Sequence, residues 1–144
     1  MLREVTDGCV RRWAADSGII KIFMRVEIIR TKASKEKIKE LADNSFGSMF
    51  KLAIDIERGI LAAGGEFHAD GERPLLEDGS KQKDIWGANY YPFEKPHNRI
   101  EYTALINIRP SNGNCGMKIE DPIIREKAKA IAERLLLGEK DEIS

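Results

Sequence analysis

The stretch Gly64-Gly65-Glu66-Phe67-His68-Ala69-Asp70 stands where one hydrophobic pattern is replaced by another. Before it, apolar residues recur at helical spacing over residues 46–62, which predicts a long amphipathic helix. Two adjacent glycines are a common signal for the end of a helix. After them, polar and apolar residues alternate, which is the pattern of a β-strand. We therefore predict a helix, a glycine stop and a short strand that carries Glu66, His68 and Asp70 on one face.

The remaining patterns extend this arrangement into an α+β fold. Alternation predicts strands over residues 20–30, 84–91 and 99–109, and 73–77 is a short extended run. Two further helices are expected after Ser34 and Asp121, because both residues are good N-caps. Strands joined by short turns pair antiparallel. The expected fold is an antiparallel sheet of four to five strands with two or three helices packed on one face, in the order β-α-α-β-β-β-β-α.

Size and charge limit the classes of protein to which the chain can belong. The 144 residues carry 24 Lys and Arg against 24 Asp and Glu, so no net charge attracts nucleic acid or an anionic membrane. No apolar run reaches the roughly 18 residues of a membrane span. Cys9 and Cys115 are the only cysteines and predict neither a disulfide framework nor a zinc site, which favours a reducing cytoplasm. High charge with a single glutamine, Gln82, is a compositional hint of a thermophilic source.

One domain is expected over residues 24–138. Residues 1–23 mix both charges without a clear period and are interpreted as an N-terminal extension or a loosely ordered arm. Residues 139–144 form a polar tail.

Glu66, His68 and Asp70 are the first candidate site. Imidazole and carboxylates on one strand face can ligate a divalent metal such as zinc or manganese. Without a metal the same groups can transfer a proton or bind a ligand, and on a solvated face they do neither. A metal would need a further ligand from elsewhere, for which Glu57 is one candidate. All three interpretations stay open, and a divalent metal is the cofactor under consideration.

A charged cluster between helix and sheet is the second candidate. Glu57 falls within the apolar stripe of the predicted long helix, where a carboxylate needs a partner. Arg109 is the expected cation, either paired with Glu57 or Glu66 or available to an anion. We expect Glu57, Glu66, His68 and Arg109 to lie together. Further candidates for ligand binding are Asn107, Asn89 and Trp86.

Five short segments, taken together, carry a resemblance to a known family. They are Asp55-Ile56-Glu57-Arg58, the stretch 64–70, Leu75-Leu76-Glu77-Asp78-Gly79-Ser80-Lys81-Gln82, Trp86-Gly87-Ala88-Asn89 with Tyr91-Pro92, and Ile106-Asn107-Ile108-Arg109-Pro110. Over about residues 24–136 the chain resembles an uncharacterised prokaryotic family, a domain of unknown function. The resemblance implies no reaction, cofactor or site residue. It implies a start near Met24, which favours residues 1–23 as an extension.

Two functional hypotheses follow. The first is a small binding or interaction domain whose polar sheet face meets a partner or a small polar ligand, with a homo-oligomer left open. The alternative is a small metal-dependent hydrolase that uses Glu66, His68 and Asp70, with Arg109 holding an anionic group. The sequence leaves open whether the chain is an enzyme.

Overall fold

The structure, a computed structural model, describes residues 25–143. The arm predicted at 1–23 and the first half of the strand predicted at 20–30 lie outside the described residues. Within the described range the chain forms five strands and three helices. In order these are β1 (Val26–Ile29), α1 (Lys35–Asp43), β2 (Phe50–Asp55), β3 (Ile60–Gly64), α2 (His68–Glu77), β4 (Ile85–Tyr90), β5 (Ile100–Glu101) and α3 (Pro122–Leu135).

The strands form one antiparallel sheet in the order β1-β3-β2-β4-β5. The predicted class, an α+β fold built on an antiparallel sheet, is thereby confirmed. The expectation that the helices share one face holds for α1 and α3, whose apolar residues enclose the main core with β2 and β4. It is wrong for α2, which covers the opposite face. There a side chain added at Gly71 would meet the methyl groups of Ala53 and Ala62 at 3.3 Å, so α2 lies directly against β2 and β3.

The long helix predicted over residues 46–62 is wrong, because these residues form the β2–β3 hairpin. Both strands lie inside the sheet and are buried on both faces, so their sequences are almost continuously apolar and also fit a helical stripe. Asp55 turns the chain, since its Oδ1 accepts hydrogen bonds from the amides of Glu57 and Arg58 at 2.9 Å. Gly59 completes the turn with a φ of +70°, a conformation that glycine adopts without strain.

The strand predicted at 66–70 and the extended run at 73–77 are also wrong, because α2 begins at His68, directly after Glu66 and Phe67, and includes the whole of 73–77. The two glycines end strand β3 rather than a helix, with φ values of 109° at Gly64 and 88° at Gly65. Gly71 and Pro74 are poor helix formers, so the sequence does not predict a helix here. Packing on the sheet outweighs their low propensity.

The strand predicted over residues 99–109 is short in the structure, where only Ile100–Glu101 pairs with β4. Beyond β5 the chain turns, and the side chain of Asn107 takes the place of a neighbouring strand. Its Oδ1 accepts from the Gly87 amide at 2.8 Å, and its Nδ2 donates to the Gly87 carbonyl at 3.0 Å.

Other sequence predictions are confirmed. Ser34 caps α1 by accepting from the Lys37 amide at 3.0 Å, and Asp121 caps α3 by accepting from the Ile123 amide at 2.8 Å. Strand β4 lies within the predicted range 84–91.

Candidate functional site

Asp70 closes the N-terminus of α2 and is not part of a shared polar face. Its Oδ2 accepts hydrogen bonds from the amides of Glu66 at 3.0 Å and Phe67 at 2.8 Å. On a helix, His68 and Asp70 are separated by roughly 200° around the axis, so they point in nearly opposite directions. Glu66 precedes the helix and is exposed. The strand face that defined the metal hypothesis therefore does not exist.

No metal-ligand cluster replaces it in the part of the chain that the structure describes. Among residues 25–143, no group of three or more His, Cys, Asp or Glu side chains is close enough to hold a metal ion. Nothing in the described chain therefore supports the metal-dependent hydrolase.

The predicted cluster of Glu57, Glu66, His68 and Arg109 is also wrong. Glu57 is exposed in the β2–β3 turn and does not face the core. Arg109 does pair with a carboxylate, but the partner is Glu72 of α2, with Nη2 3.1 Å from Oε2. Both side chains are nearly buried, at 11% and 12% exposed.

Arg109 is held by two further contacts in addition to Glu72. Its Nη1 donates to the Ile85 carbonyl at 2.6 Å, and its guanidinium lies 5.3 Å from the Trp86 ring centre. Burial lowers the pKa of Arg109, and the Glu72 carboxylate opposes that shift. The arginine is thus committed to the fold rather than available as an anion clamp.

His68, the first residue of α2, anchors a polar chain on the same face of the sheet. Its Nε2 lies 3.0 Å from the Ala88 carbonyl and 2.9 Å from Oδ1 of Asn89. Because both partners are acceptors in this arrangement, Nε2 carries the hydrogen and donates. The Asn89 amide donates in turn to Glu101 at 2.9 Å, and the Tyr91 hydroxyl donates to the same Glu101 oxygen at 3.2 Å.

The environment of His68 favours its neutral form. Burial lowers the pKa of the imidazole, and the positive charge of Lys51 lowers it further. The hydrogen bonds to Ala88 and Asn89 and the charge of Glu101 oppose this shift without reversing it. A neutral imidazole that donates to two oxygens is a fixed donor, and this bonding does not make it a general base.

An open groove of about 700 Å³ lies beside this polar chain, and we call it the His68 groove. Its rim contains four large apolar side chains that remain exposed: Phe46 (44%), Phe67 (59%), Leu105 (68%) and Met117 (42%). Its polar lining includes Lys51, His68 and Asn89. It combines an apolar rim with a polar floor whose hydrogen bonds are made internally.

Lys51 gives the groove a positive charge. Its ammonium lies 5.4 Å from the Phe46 ring centre, and it makes no ion pair with a carboxylate of residues 25–143. Glu101 is already occupied by Asn89 and Tyr91. Glu66 is the acidic residue on the groove wall and is exposed to solvent.

The other predicted ligand-binding residues have different placements. Asn107 is fully buried and donates to the carbonyls of Gly87 and Met117, so its polar atoms hold the fold together. Trp86 is 2% exposed and packs beneath Arg109. Of the predicted residues, Glu66, His68 and Asn89 line the groove.

Sequence reasoning missed Lys51, Phe67, Leu105 and Met117 because each is unremarkable within its own pattern. Alternation places Phe67 on the buried side of a strand that does not form. Leu105 carries the one usable signal, since it falls on the polar side of its predicted strand.

Comparison with known proteins identifies a family without a named activity. The family described as "Protein of unknown function (DUF5674)" matches residues 27–135, and the chain belongs to it. No curated protein and no solved structure matches the chain. Among the helices of residues 25–143, each is too short or too polar to cross a membrane.

Proposed function

Because membership in that family carries no named activity, we propose from the geometry that the chain is a non-catalytic binding domain. The His68 groove would receive a short apolar segment of a partner polypeptide that also carries an acidic residue. The observation that carries this proposal is the set of four large apolar side chains left exposed around one groove. Exposed apolar side chains grouped around a concave surface are typical of interaction sites.

The rim can supply a useful binding energy. Complete burial of a Leu, Phe or Met side chain stabilises a complex by roughly 1.5–3 kcal/mol. Leu105, Phe67 and Met117 keep about half of their surface available for such burial. After the cost of association, this supports binding with a dissociation constant on the order of micromolar rather than nanomolar.

The preference for an acidic residue in the partner follows from Lys51. The charge of Lys51 is not neutralised by an ion pair in the described chain. A carboxylate of the partner could therefore form an ion pair with Lys51 at the groove wall. The polar groups of the groove floor need no partner from a ligand, since His68, Asn89 and Glu101 form hydrogen bonds with one another or with the backbone.

The polar floor supports binding rather than catalysis. His68 donates from Nε2, and neither of its hydrogen bonds joins it to a nucleophilic side chain. Ser80, the serine of the Asp-Gly-Ser turn, accepts from Arg58 at 2.8 Å and is buried away from the groove. A cytoplasmic location and the absence of nucleic-acid binding stay predictions from composition, and a homo-oligomer stays open.

A peptide titration tests the proposal. The probes are acetylated, amidated peptides of sequence Asp-Leu-Phe-Leu-Asp, its charge-reversed form Lys-Leu-Phe-Leu-Lys, and Asp-Ser-Gly-Ser-Asp without apolar side chains. We expect saturable amide shifts in nitrogen–proton correlation spectra near His68, Asn89 and Leu105 with the first peptide. We expect weaker shifts with the second and none with the third.

Two variants distinguish binding in the groove from nonspecific hydrophobic binding. Leu105→Ser should weaken binding of the first peptide by about tenfold, since one large apolar contact is lost. Ile123→Ser changes a side chain that is equally exposed, at 65%, but lies on the first turn of α3, and it should bind like the parent protein. Equal loss in both variants, or no saturable shift with any peptide, would reject the groove as a docking site.

A further inference from the structure

We propose that a second cavity, between α3 and the connection from β4 to β5, binds a small oxyanion. The cavity measures about 220 Å³ and lies on the other face of the sheet from the His68 groove. Its walls include three basic side chains, those of Arg99, Arg125 and Lys129. The volume suits a phosphate ion or a small carboxylic acid and falls below the roughly 300 Å³ at which sites for drug-sized ligands begin.

Arg99 is the central observation, because it is a buried cation without a counter-charge. It is 4% exposed, and its guanidinium donates from Nε to the Glu94 carbonyl, from Nη1 to the Gly138 carbonyl and from Nη2 to the Asp141 carbonyl. Within residues 25–143 no carboxylate lies within ion-pair distance of it. A guanidinium has five N–H groups, so one on each Nη is left over after these three bonds. Burial of an uncompensated charge is expensive, and a bound anion would supply the missing partner.

The two other cations stand together on α3. Arg125 and Lys129 are four residues apart and share one face of the helix. Arg125 donates to the Ile119 carbonyl at 2.6 Å, and neither residue forms an ion pair with a carboxylate of the described chain.

Two carboxylates, Glu126 and Glu133, also line the cavity and reduce its positive charge without cancelling it. Three cations and two carboxylates leave one net positive charge in the cavity. This charge favours a small anion over a polyanion such as nucleic acid.

Two tyrosines add neutral donors to the same walls. The Tyr90 hydroxyl accepts from the Leu137 amide at 3.2 Å, so its own hydrogen is available to another acceptor. Burial raises the pKa of Tyr90 to about 12 and also raises the pKa of Tyr102, so both hydroxyls stay protonated at neutral pH. Protonated hydroxyls can donate to an oxyanion.

The test is a titration of the full chain with inorganic phosphate, acetate and neutral glycerol at constant ionic strength set with chloride. We expect saturable amide shifts at Tyr90, Tyr102 and Lys129 at millimolar concentrations of phosphate, acetate or both, and none with glycerol. A response to phosphate alone identifies a phosphate ligand, and a response to acetate alone or to both identifies a carboxylate or a general oxyanion. No saturable response to either anion would overturn the proposal.

Variants exclude a nonspecific salt effect. Lys129→Gln removes a cavity cation that makes no ion pair in residues 25–143, and should weaken anion binding about threefold or more. Lys127→Gln removes the same charge from an exposed position of α3 outside the cavity and should leave binding unchanged. Tyr102→Phe, which deletes only a hydroxyl, should weaken binding in the same direction as Lys129→Gln. If Lys127→Gln weakens binding as much as Lys129→Gln, the response is surface screening and the proposal fails.

Discussion

The two ends of β4 hold two polar arrangements of opposite character. At the Ile85 end, Arg109 and Glu72 form an ion pair that is almost sealed from solvent. At the Asn89 end, His68 contacts the strand and opens onto a groove rimmed by apolar side chains. Glu72 and His68 are one helical turn apart on α2, so the same helix supplies both. Four residues of extended strand, about 13 Å, separate the two ends.

The difference between the ends lies in their surroundings rather than in their residue types. Each combines one α2 side chain with a backbone carbonyl of β4 and a second polar side chain. At the Arg109 end both charged side chains are nearly buried and bind each other, which gives this end a structural role. The His68 end is only partly covered, so a partner can approach it.

The largest effect is expected when the Arg109–Glu72 ion pair at the Ile85 end of β4 is broken. Arg109→Met leaves the Glu72 carboxylate and the Ile85 carbonyl without their partner in a nearly buried position. We expect a loss of about 3–5 kcal/mol in the free energy of unfolding, measured by urea denaturation. The double variant Arg109→Met with Glu72→Gln should recover part of that loss, because the uncompensated charge is removed. A loss below about 1 kcal/mol for the single variant would mean that the ion pair does not hold this end together.

A smaller effect is expected from removing the Asp70 carboxylate at the start of α2, near the Asn89 end of β4. Asp70→Ala removes the acceptor for two amides at the start of α2 and should destabilise the protein by about 1 kcal/mol, as loss of an N-cap does. Glu66→Ala, which removes an exposed carboxylate next to it, should change stability by less than about 0.5 kcal/mol.

The same experiment separates the cap from the metal hypothesis. Urea denaturation of the parent protein with and without zinc should give the same midpoint if Asp70 is a cap. A rise in the midpoint with zinc that Asp70→Ala abolishes would instead restore Asp70 as a metal ligand.

The smallest expected effect is a pH dependence at His68. Its pKa lies below the ordinary value of 6.5 in the folded protein, mainly through burial, so the unfolded chain binds the proton more readily. The contribution of His68 to stability is complete above about pH 6.5 and is lost as the pH falls through the folded pKa. Urea denaturation between about pH 7 and pH 5 should show this decline, and His68→Gln should flatten it.

Local signals that depend on one or two residues were predictable from the sequence. Ser34 and Asp121 mark the starts of α1 and α3, because the cap chemistry is the same in any fold. The α+β class was also predicted, although the elements at 46–62, 66–70 and 73–77 were assigned to the wrong type.

Elements that depend on tertiary packing were not predictable from the sequence. The β2–β3 hairpin is buried on both faces, so it lacks the alternation that distinguishes a strand from a helix. Helix α2 contains Gly71, which favours its close approach to β2 and β3, although glycine weakens a helix. Because these elements were misassigned, Glu66, His68 and Asp70 were predicted to share a strand face, and that strand does not form. The need of Arg109 for a carboxylate was predictable, but its choice of Glu72 depends on α2.

The side chain of Asn107 has a consequence for how the protein behaves in a crowded solution. The outer side of β4 is largely occupied although its neighbour β5 is only two residues long: Arg109 takes the Ile85 carbonyl, Asn107 takes both backbone groups of Gly87, and β5 pairs with Asn89. A strand with free backbone groups is a template on which another chain can add and aggregation can begin. Here side chains, together with the 3-10 turn Leu105–Asn107, replace the missing length of strand, so few backbone groups along this side of β4 are left for another strand to pair with.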